Sequence, residues 1–259
     1  MIFLVDNFIL KTYTKIIVER YKKMENLYKL VLENVDLCIV LKENNNIIYN
    51  NNELALKLNN LNNKLKNKII YENSIYKVTY KKINNYDIEI YQDVSKYEKE
   101  IETLKKDYLT GLYNRYAVFE EVEKIKNIDY SLVMCDIDFF KKINDQYGHL
   151  VGDYVLKGIS NILKNSIDGI VGRYGGEEFI IIIPKVNSNE CFDIIEKIRK
   201  KIEKTKIRVK YDDCIKEFYV TMTFGIVSSD NNNIEESIAK ADKALYKGKK
   251  NGRNQTNIF

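Results

Sequence analysis

Proline, histidine and paired cysteines are nearly missing from this chain of 259 residues, which has one proline, one histidine and four cysteines. The cysteines (Cys38, Cys135, Cys191 and Cys214) are scattered without CxxC spacing. That excludes a disulfide framework and a thiolate zinc site, and it fits a reducing cytosol. His149 is the sole histidine, so histidine-ligated haem is excluded from everything N-terminal to it. With so little proline, long Lys/Glu-rich stretches of apolar periodicity run uninterrupted, as suits many helices. Long hydrophobic runs are lacking too. The opening MIFLVDNFIL is broken by Asp6 and Asn7 and followed by Lys11, well short of the ~18–20 apolar residues of a membrane span. No basic residues precede it and no small-residue cleavage site follows, so no signal peptide is expected. A basic stripe with interleaved aromatics is absent as well. The net charge of +5 is spread over interleaved lysines and acids, which reads as a solvated surface and argues against a nucleic-acid partner. The expectation is a soluble, cytoplasmic protein of one or two domains, with a hydrophobic share of 45% that is ample for a core.

What is present begins with a heptad. Leu10, Ile17, Met24 and Val31 recur every seven residues, with Tyr21, Tyr28 and Val35 four residues after the last three. A shorter seam runs through Val94, Tyr97, Ile101, Leu104 and Tyr108. Each suits either an amphipathic helix packed on its own domain or pairing with a second copy. Two seams flanking one small domain favour a homodimer. Residues 1–35 are therefore expected to be a helix and candidate coiled coil, and residues 96–108 a helical linker. Between them, 36–95 carries strand signals at Leu37–Leu41 and Ile47–Tyr49, a helix at Glu53–Leu58, and a hairpin of Ile75–Ile83 and Tyr86–Val94 across Asn84-Asn85. This order, with its exit at Asp93-Val94-Ser95 into a helix, resembles a small PAS sensor domain. Cys38 lies inside an apolar strand and reads as core.

From about residue 105 helices and strands alternate. Helices are expected at 114–127, 140–147, 152–165, 189–204 and Ile234–Lys247. A strand is expected from Tyr130 to Asp138, with hairpins at Gly175-Gly176 and around Tyr211-Asp212-Asp213. The pattern predicts a two-domain α+β chain whose C-terminal part is a mostly antiparallel sheet covered by helices.

Two stretches in this part carry chemistry. In Arg173-Tyr174-Gly175-Gly176-Glu177-Glu178-Phe179 a two-glycine turn joins the apolar runs Ile170-Val171 and Phe179–Ile183. The glycines accept positive φ and let backbone approach a phosphate, and the adjoining acids could hold the accompanying metal. The alternative is an ordinary hairpin with solvated glutamates. In Leu132–Asp138 a buried strand ends in Asp136 and Asp138, which alternation turns to one face. Buried acids need a partner or a metal, and with Glu177 and Glu178 they would make an all-oxygen cluster suited to Mg²⁺ or Mn²⁺. Asp136 is the stronger ligand candidate, because Asp138 could equally cap the helix that follows.

Four ordered motifs then resemble the GGDEF family, the diguanylate cyclases. They are Asp107–Arg115 (DYLTGLYNR); Asp136–Asn144 (DIDFFKKIN) continuing into Gly148-His149 and Gly152-Asp153; the RYGGEEF signature; and Ala241–Tyr246 leading to Lys249 and Gly252-Arg253-Asn254. The resemblance implies a nucleotide-cyclase-like, palm-like domain over 109–259 that condenses two GTP into cyclic di-GMP and two pyrophosphates. Each domain of a dimer would hold one GTP. The resemblance assigns two metals per GTP site to Asp136, the Ile137 carbonyl, Glu177 and Glu178, and proton abstraction from the 3′-hydroxyl to Glu177. It gives phosphate contact to Gly175, Gly176 and the Phe139 and Phe140 amides, triphosphate neutralisation to Lys141, Lys249 and Arg253, guanine to Asn144 and Asp153, and local support of the site to His149. Arg173 falls among the substrate-binding positions. A catalytically idle module that binds GTP or cyclic di-GMP and signals by contact is the alternative. One departure stands out. Where many relatives carry an RxxD product-inhibition site, this chain reads Ser166-Ile167-Asp168-Gly169.

Overall fold

Paired asparagines set the first turn of the N-terminal part. Asn44 and Asn45 both take positive φ (49° and 67°), which side chains that bond their own backbone tolerate best. In this computed structural model the described residues are 37–61, 67–83, 85–125, 127–211, 214–229 and 233–259. The first heptad seam lies outside them. The chain divides into two compact units, one through Ile101 and one from Glu102.

In the first unit, β1 (Leu37–Glu43), β2 (Asn46–Asn50), β3 (Lys68–Tyr71), β4 (Ser74–Ile83) and β5 (Tyr86–Asp93) form an antiparallel sheet of order β2-β1-β5-β4-β3. Helix α1 (Glu53–Asn59) starts at Asn52, whose side chain accepts from Ala55 N at 2.8 Å. Its Ala55 and Leu58 pack with Cys38, Val40 and Tyr91, while Ile39, Leu41, Ile88 and Ile90 form a second cluster. Cys38 is core, as its position in the strand suggested. Buried Glu89 takes the Lys42 ammonium at 2.6 Å, Asn59 Nδ2 at 2.9 Å and the Tyr91 hydroxyl. The sequence did not suggest β3, because four residues with one buried side chain, Ile69, are too short to show a period. Helix α2 (Ser95–Leu104) opens on a cap. Asp93 Oδ1 accepts from Ser95 N at 2.8 Å and from Ser95 Oγ, and these bonds hold its carboxyl below the usual range. Tyr97, Ile101 and Leu104 of the second seam are exposed along α2.

The second unit has a six-stranded sheet of order β13-β12-β7-β9-β8-β6, built from β6 (Tyr113–Asn114), β7 (Tyr130–Ile137), β8 (Ile170–Gly175), β9 (Glu178–Pro184), β12 (Met222–Ser229) and β13 (Thr256–Ile258). The three central pairings are antiparallel and the two edge strands pair in parallel, a mixed α+β sheet flanked by helices. Strands β7 and β9 are buried almost throughout because both faces are covered, which is why they read as unbroken apolar runs. Helices α5 (His149–Ser166) and α6 (Ser188–Lys204) cover Val133, Cys135, Phe179 and Ile181. Helices α3 (Arg115–Glu123) and α7 (Ile234–Lys250) cover Leu132, Met134, Ile180 and Ile182. Helix α4 (Phe140–Tyr147) precedes α5, and Gly148 (φ 81°) separates them. Strands β10 (Ile207–Tyr211) and β11 (Cys214–Phe218) form a separate hairpin.

Three expectations need correction. Helix α3 ends at Glu123 rather than near 127. Strand β12, central to the sheet, was missed; Gly225 in its middle and serines at its end weaken the strand pattern. Asp138 does not cap α4, since Phe139 holds the cap position with φ 58° and no side-chain cap bond is made.

Candidate active site

The signature turn sits where β8 meets β9. Gly176 has φ 50°, and a side chain on Gly175 or Gly176 would meet nothing within 4 Å, so this backbone faces open space. Arg173 clasps the turn from behind. Its Nε donates to the Gly176 carbonyl at 2.8 Å, and its Nη1 lies 3.3 Å from Asp107 Oδ1. Asp107 Oδ1 also accepts from Thr110 N (2.9 Å) and Thr110 Oγ1 (2.6 Å). Burial raises the Asp107 carboxyl, but the Thr110 donors and Arg173 outweigh it and hold the group below its usual range. Arg173, expected among the substrate contacts, is thus engaged in fixing the turn to the DYLTGLYNR motif.

Across the sheet, Asp136 is the register partner of Glu178, and Ile137 N donates to the Glu177 carbonyl at 3.4 Å. Asp136 is 7% exposed. Its carboxyl is pushed up to about 6, first by burial and then by Glu177 and Glu178, with Lys249 pulling the other way. Lys249 of α7 rests on Asp136 Oδ2 at 2.7 Å. Glu178 thus pairs with Asp136 across the sheet and the Glu177 backbone joins Ile137, which makes the expected ligand residues neighbours of a buried carboxylate that already carries a cation. Among the described residues no three acidic, cysteine or histidine side chains stand as a ready-made metal cage. The hard-oxygen chemistry of Asp136, Glu177 and Glu178 suits a divalent hard cation, which would share or displace the Lys249 ammonium at Asp136.

Asp138 belongs elsewhere. Its Oδ1 accepts from Thr223 Oγ1 at 2.6 Å, and its Oδ2 accepts from Thr221 Oγ1 at 2.7 Å and Asn254 N at 2.9 Å. Exposed Phe139 offers its ring to the Arg253 guanidinium at 4.4 Å, whereas Phe140 is buried. Lys141 is exposed on the first turn of α4, and His149 is exposed at the start of α5. Asn144 of α4 and Asp153 of α5 are both half-buried. Asn144 Oδ1 is buried with no hydrogen-bond partner, a cost proteins rarely leave unmet without a ligand or water. It lies against Gly152, where a Cβ would come within 2.0 Å of it. Sequence reasoning missed Thr221 and Thr223, because β12, which opens just after Thr221 and carries Thr223, was not recognised.

The comparisons with known proteins agree with this geometry. The family described as "Diguanylate cyclase, GGDEF domain" matches residues 104–255, more than half of the chain. Diguanylate cyclase A of Treponema denticola is 40% identical over 148 residues, covering 55% of this chain and 38% of that protein. Diguanylate cyclase VdcA of Vibrio cholerae is 34% identical over 172 residues, covering 63% and 50%. The chain thus matches half or less of these relatives' own length. Among solved structures, the coiled coil and GGDEF domain of DgcB from Caulobacter crescentus, in complex with c-di-GMP, is similar at 25% identity and a TM-score of 0.58, over 63% of this chain and 90% of that one. Diguanylate cyclase SiaD of Pseudomonas aeruginosa, in complex with its activator SiaC, is similar at 27% identity and a TM-score of 0.56, over 63% and 68%.

Proposed function

This chain belongs to the diguanylate cyclase GGDEF domain family, and from that premise we propose that it condenses two GTP into cyclic di-GMP and two pyrophosphates. The observation that carries this is the Asp136–Glu178 pair beside the open Gly175-Gly176 turn, with the Asp136 carboxyl pushed up to about 6. Asp136, Glu177, Glu178 and the Ile137 carbonyl would hold Mg²⁺ or Mn²⁺, two per GTP site. When bound, such ions supply charge at the α-phosphate and lower the pKa of the attacking hydroxyl. Glu177 accepts the 3′-hydroxyl proton. The bare turn lets the triphosphate approach, and Lys141, Lys249 and Arg253 neutralise it. Asp153 accepts from the N1–H and 2-amino groups of guanine, and the partnerless Asn144 Oδ1 gives guanine a further acceptor. Adenine presents no such donor pair, so product analysis with GTP and ATP in parallel tests the reading. Cyclic di-GMP from GTP and no cyclic dinucleotide from ATP is the expected result, and a product from ATP contradicts it.

Each domain holds one GTP, so turnover needs two copies. The exposed Tyr97, Ile101 and Leu104 on α2 support pairing through that helix, which would bring two domains together. The order strand, strand, helix, strand, strand, strand in the first unit, capped at Asp93-Ser95 where it enters α2, supports a PAS-like sensor that regulates this pairing. Among the described residues no helix is long and apolar enough to cross a membrane.

The Ser166–Gly169 window supports turnover without strong product inhibition by the RxxD route. Restoring it with Ser166→Arg and Gly169→Asp together is expected to fail, because a Cβ at Gly169 would lie 2.3 Å from the Ile182 carbonyl oxygen. Initial rates measured against added cyclic di-GMP check this. Micromolar noncompetitive inhibition, in wild type or in the double variant, would contradict it.

A further inference from the structure

We propose that Asp138 is a positioning residue, neither metal ligand nor helix cap, which locks the Gly252-Arg253-Asn254 turn so that Arg253 stands over Phe139 at the phosphate side of the site. The proposal rests on the cyclase reading for what that site binds. Asp138 is 4% exposed, and a carboxylate so buried must be well satisfied by hydrogen bonds. Three neutral donors satisfy it: the hydroxyls of Thr221 and Thr223 and the backbone amide of Asn254. Its own amide donates to the Thr221 carbonyl at 2.9 Å, so the residue is bound to the start of β12 through both backbone and side chain.

What it holds is a turn that is tied locally only at its start, where Arg253 N donates to the Gly248 carbonyl at 3.0 Å and Gln255 Nε2 donates to the Arg253 carbonyl at 3.3 Å. Gly252, Arg253 and Asn254 have φ of 108°, 66° and 46°, and two successive non-glycine residues in the left-handed region persist only where their surroundings impose it. Asp138 supplies one restraint at the Asn254 amide. Helix α6 supplies another from the far side, with Arg199 Nη1 donating to Asn254 Oδ1 at 2.8 Å and Asn254 Nδ2 donating to Glu203 Oε1 at 2.8 Å. Between these anchors Arg253 projects to within 4.4 Å of the Phe139 ring, and Phe139 itself has φ 58°. The two acids of Asp136-Ile137-Asp138 thus divide the labour. Asp136 faces Glu178 and Lys249, and Asp138 fixes the loop that carries the second cation of the closing motif.

The test uses the full chain and 3′-deoxy-GTP, which lacks the attacking hydroxyl and so reads binding without turnover, alongside KM for GTP and the half-saturating Mg²⁺ concentration. Asp138→Ala is expected to weaken 3′-deoxy-GTP binding and raise KM about tenfold, and Asp138→Asn, which keeps an acceptor for Asn254, by no more than about threefold. Neither variant moves the Mg²⁺ requirement. In an Arg253→Ala background, Asp138→Ala adds less than about twofold, because its effect passes through that guanidinium. Should Asp138→Ala fail to fold, Thr221→Val, which removes the donor sharing Oδ2 with Asn254, reads the same coupling at about two- to threefold. A raised Mg²⁺ requirement with Asn as damaging as Ala, additivity with Arg253→Ala, or no binding by wild type would overturn the proposal. Binding of 3′-deoxy-GTP without any product from GTP would remove the cyclase reading and leave the Asp138 coupling measurable.

Discussion

Asp136→Asn is expected to reduce cyclic di-GMP formation at least ~10³-fold, about 4 kcal/mol of lost transition-state stabilisation, while making the unliganded protein more stable at neutral pH. The two effects have one cause. Asp136 sits at a nearly closed strand end with Glu177 and Glu178 beside it, and its carboxyl is pushed from 3.8 to about 6 despite Lys249. A carboxylate that is uncomfortable in the folded chain is one poised to take a cation. The folded state therefore holds this proton more tightly than the unfolded state, and the site's penalty on stability is absent below about pH 4, grows as pH rises, and is complete above about pH 6. At full strength such a shift corresponds to about 3 kcal/mol, which the remaining reach of solvent lowers to about 1–2 kcal/mol. Asparagine keeps the shape and removes the charge. Thermal melts across pH check the sign: the variant should melt above wild type at neutral pH, and the gap should close on the acid side. A variant less stable than wild type at neutral pH would mean that the Lys249 pair outweighs burial.

Gly225→Ala is expected to cost about 3–5 kcal/mol, the range of a severe overpacking at a site that cannot yield. A methyl group there would lie 2.1 Å from the Ala241 carbonyl oxygen, 2.3 Å from Leu245 N and 2.9 Å from Leu245 Cα. All three are backbone atoms of α7, so the whole helix must move off β12. Lys249 rides on the last turn of the same helix, and turnover should fall along with stability. In a unit of this size, such a loss lowers the melting temperature by roughly 10 °C or more. Gly158→Ala makes the contrast. Its new methyl would meet the flexible Ile207 side chain first, at 3.1–3.2 Å, and the gain in helix propensity offsets that crowding to within about 1 kcal/mol. Parallel denaturant titrations of the two variants check the pair, and a Gly225→Ala protein as stable as wild type would overturn the account of α7 packing.

The parts of the fold that were legible in sequence are those whose burial is strong and continuous. Strands β7 and β9 could be read because both faces are covered, and α4 to α7 because their apolar positions recur along one side. Strand β12 could not, because Gly225 exists for the sake of α7, a contact that no local pattern displays. In the candidate site, that Asp136, Glu177, Glu178 and the glycine pair would lie near one another was legible from type and spacing alone. The work of Asp138 was not, since its bond to Asn254 joins residues 116 apart in sequence. Arg173 reaches 66 residues back to Asp107, which makes it part of the turn's support rather than simply one more cation beside it. Local chemistry announces which groups can act; tertiary contacts decide which of them hold the others in place.

Product analysis after incubating the purified chain with GTP and Mg²⁺, with Glu177→Ala run alongside, decides whether this site makes cyclic di-GMP. Cyclic di-GMP and pyrophosphate from wild type, and none from Glu177→Ala, is the predicted result. No product from wild type under dimer-promoting conditions, or equal product from both proteins, would contradict it.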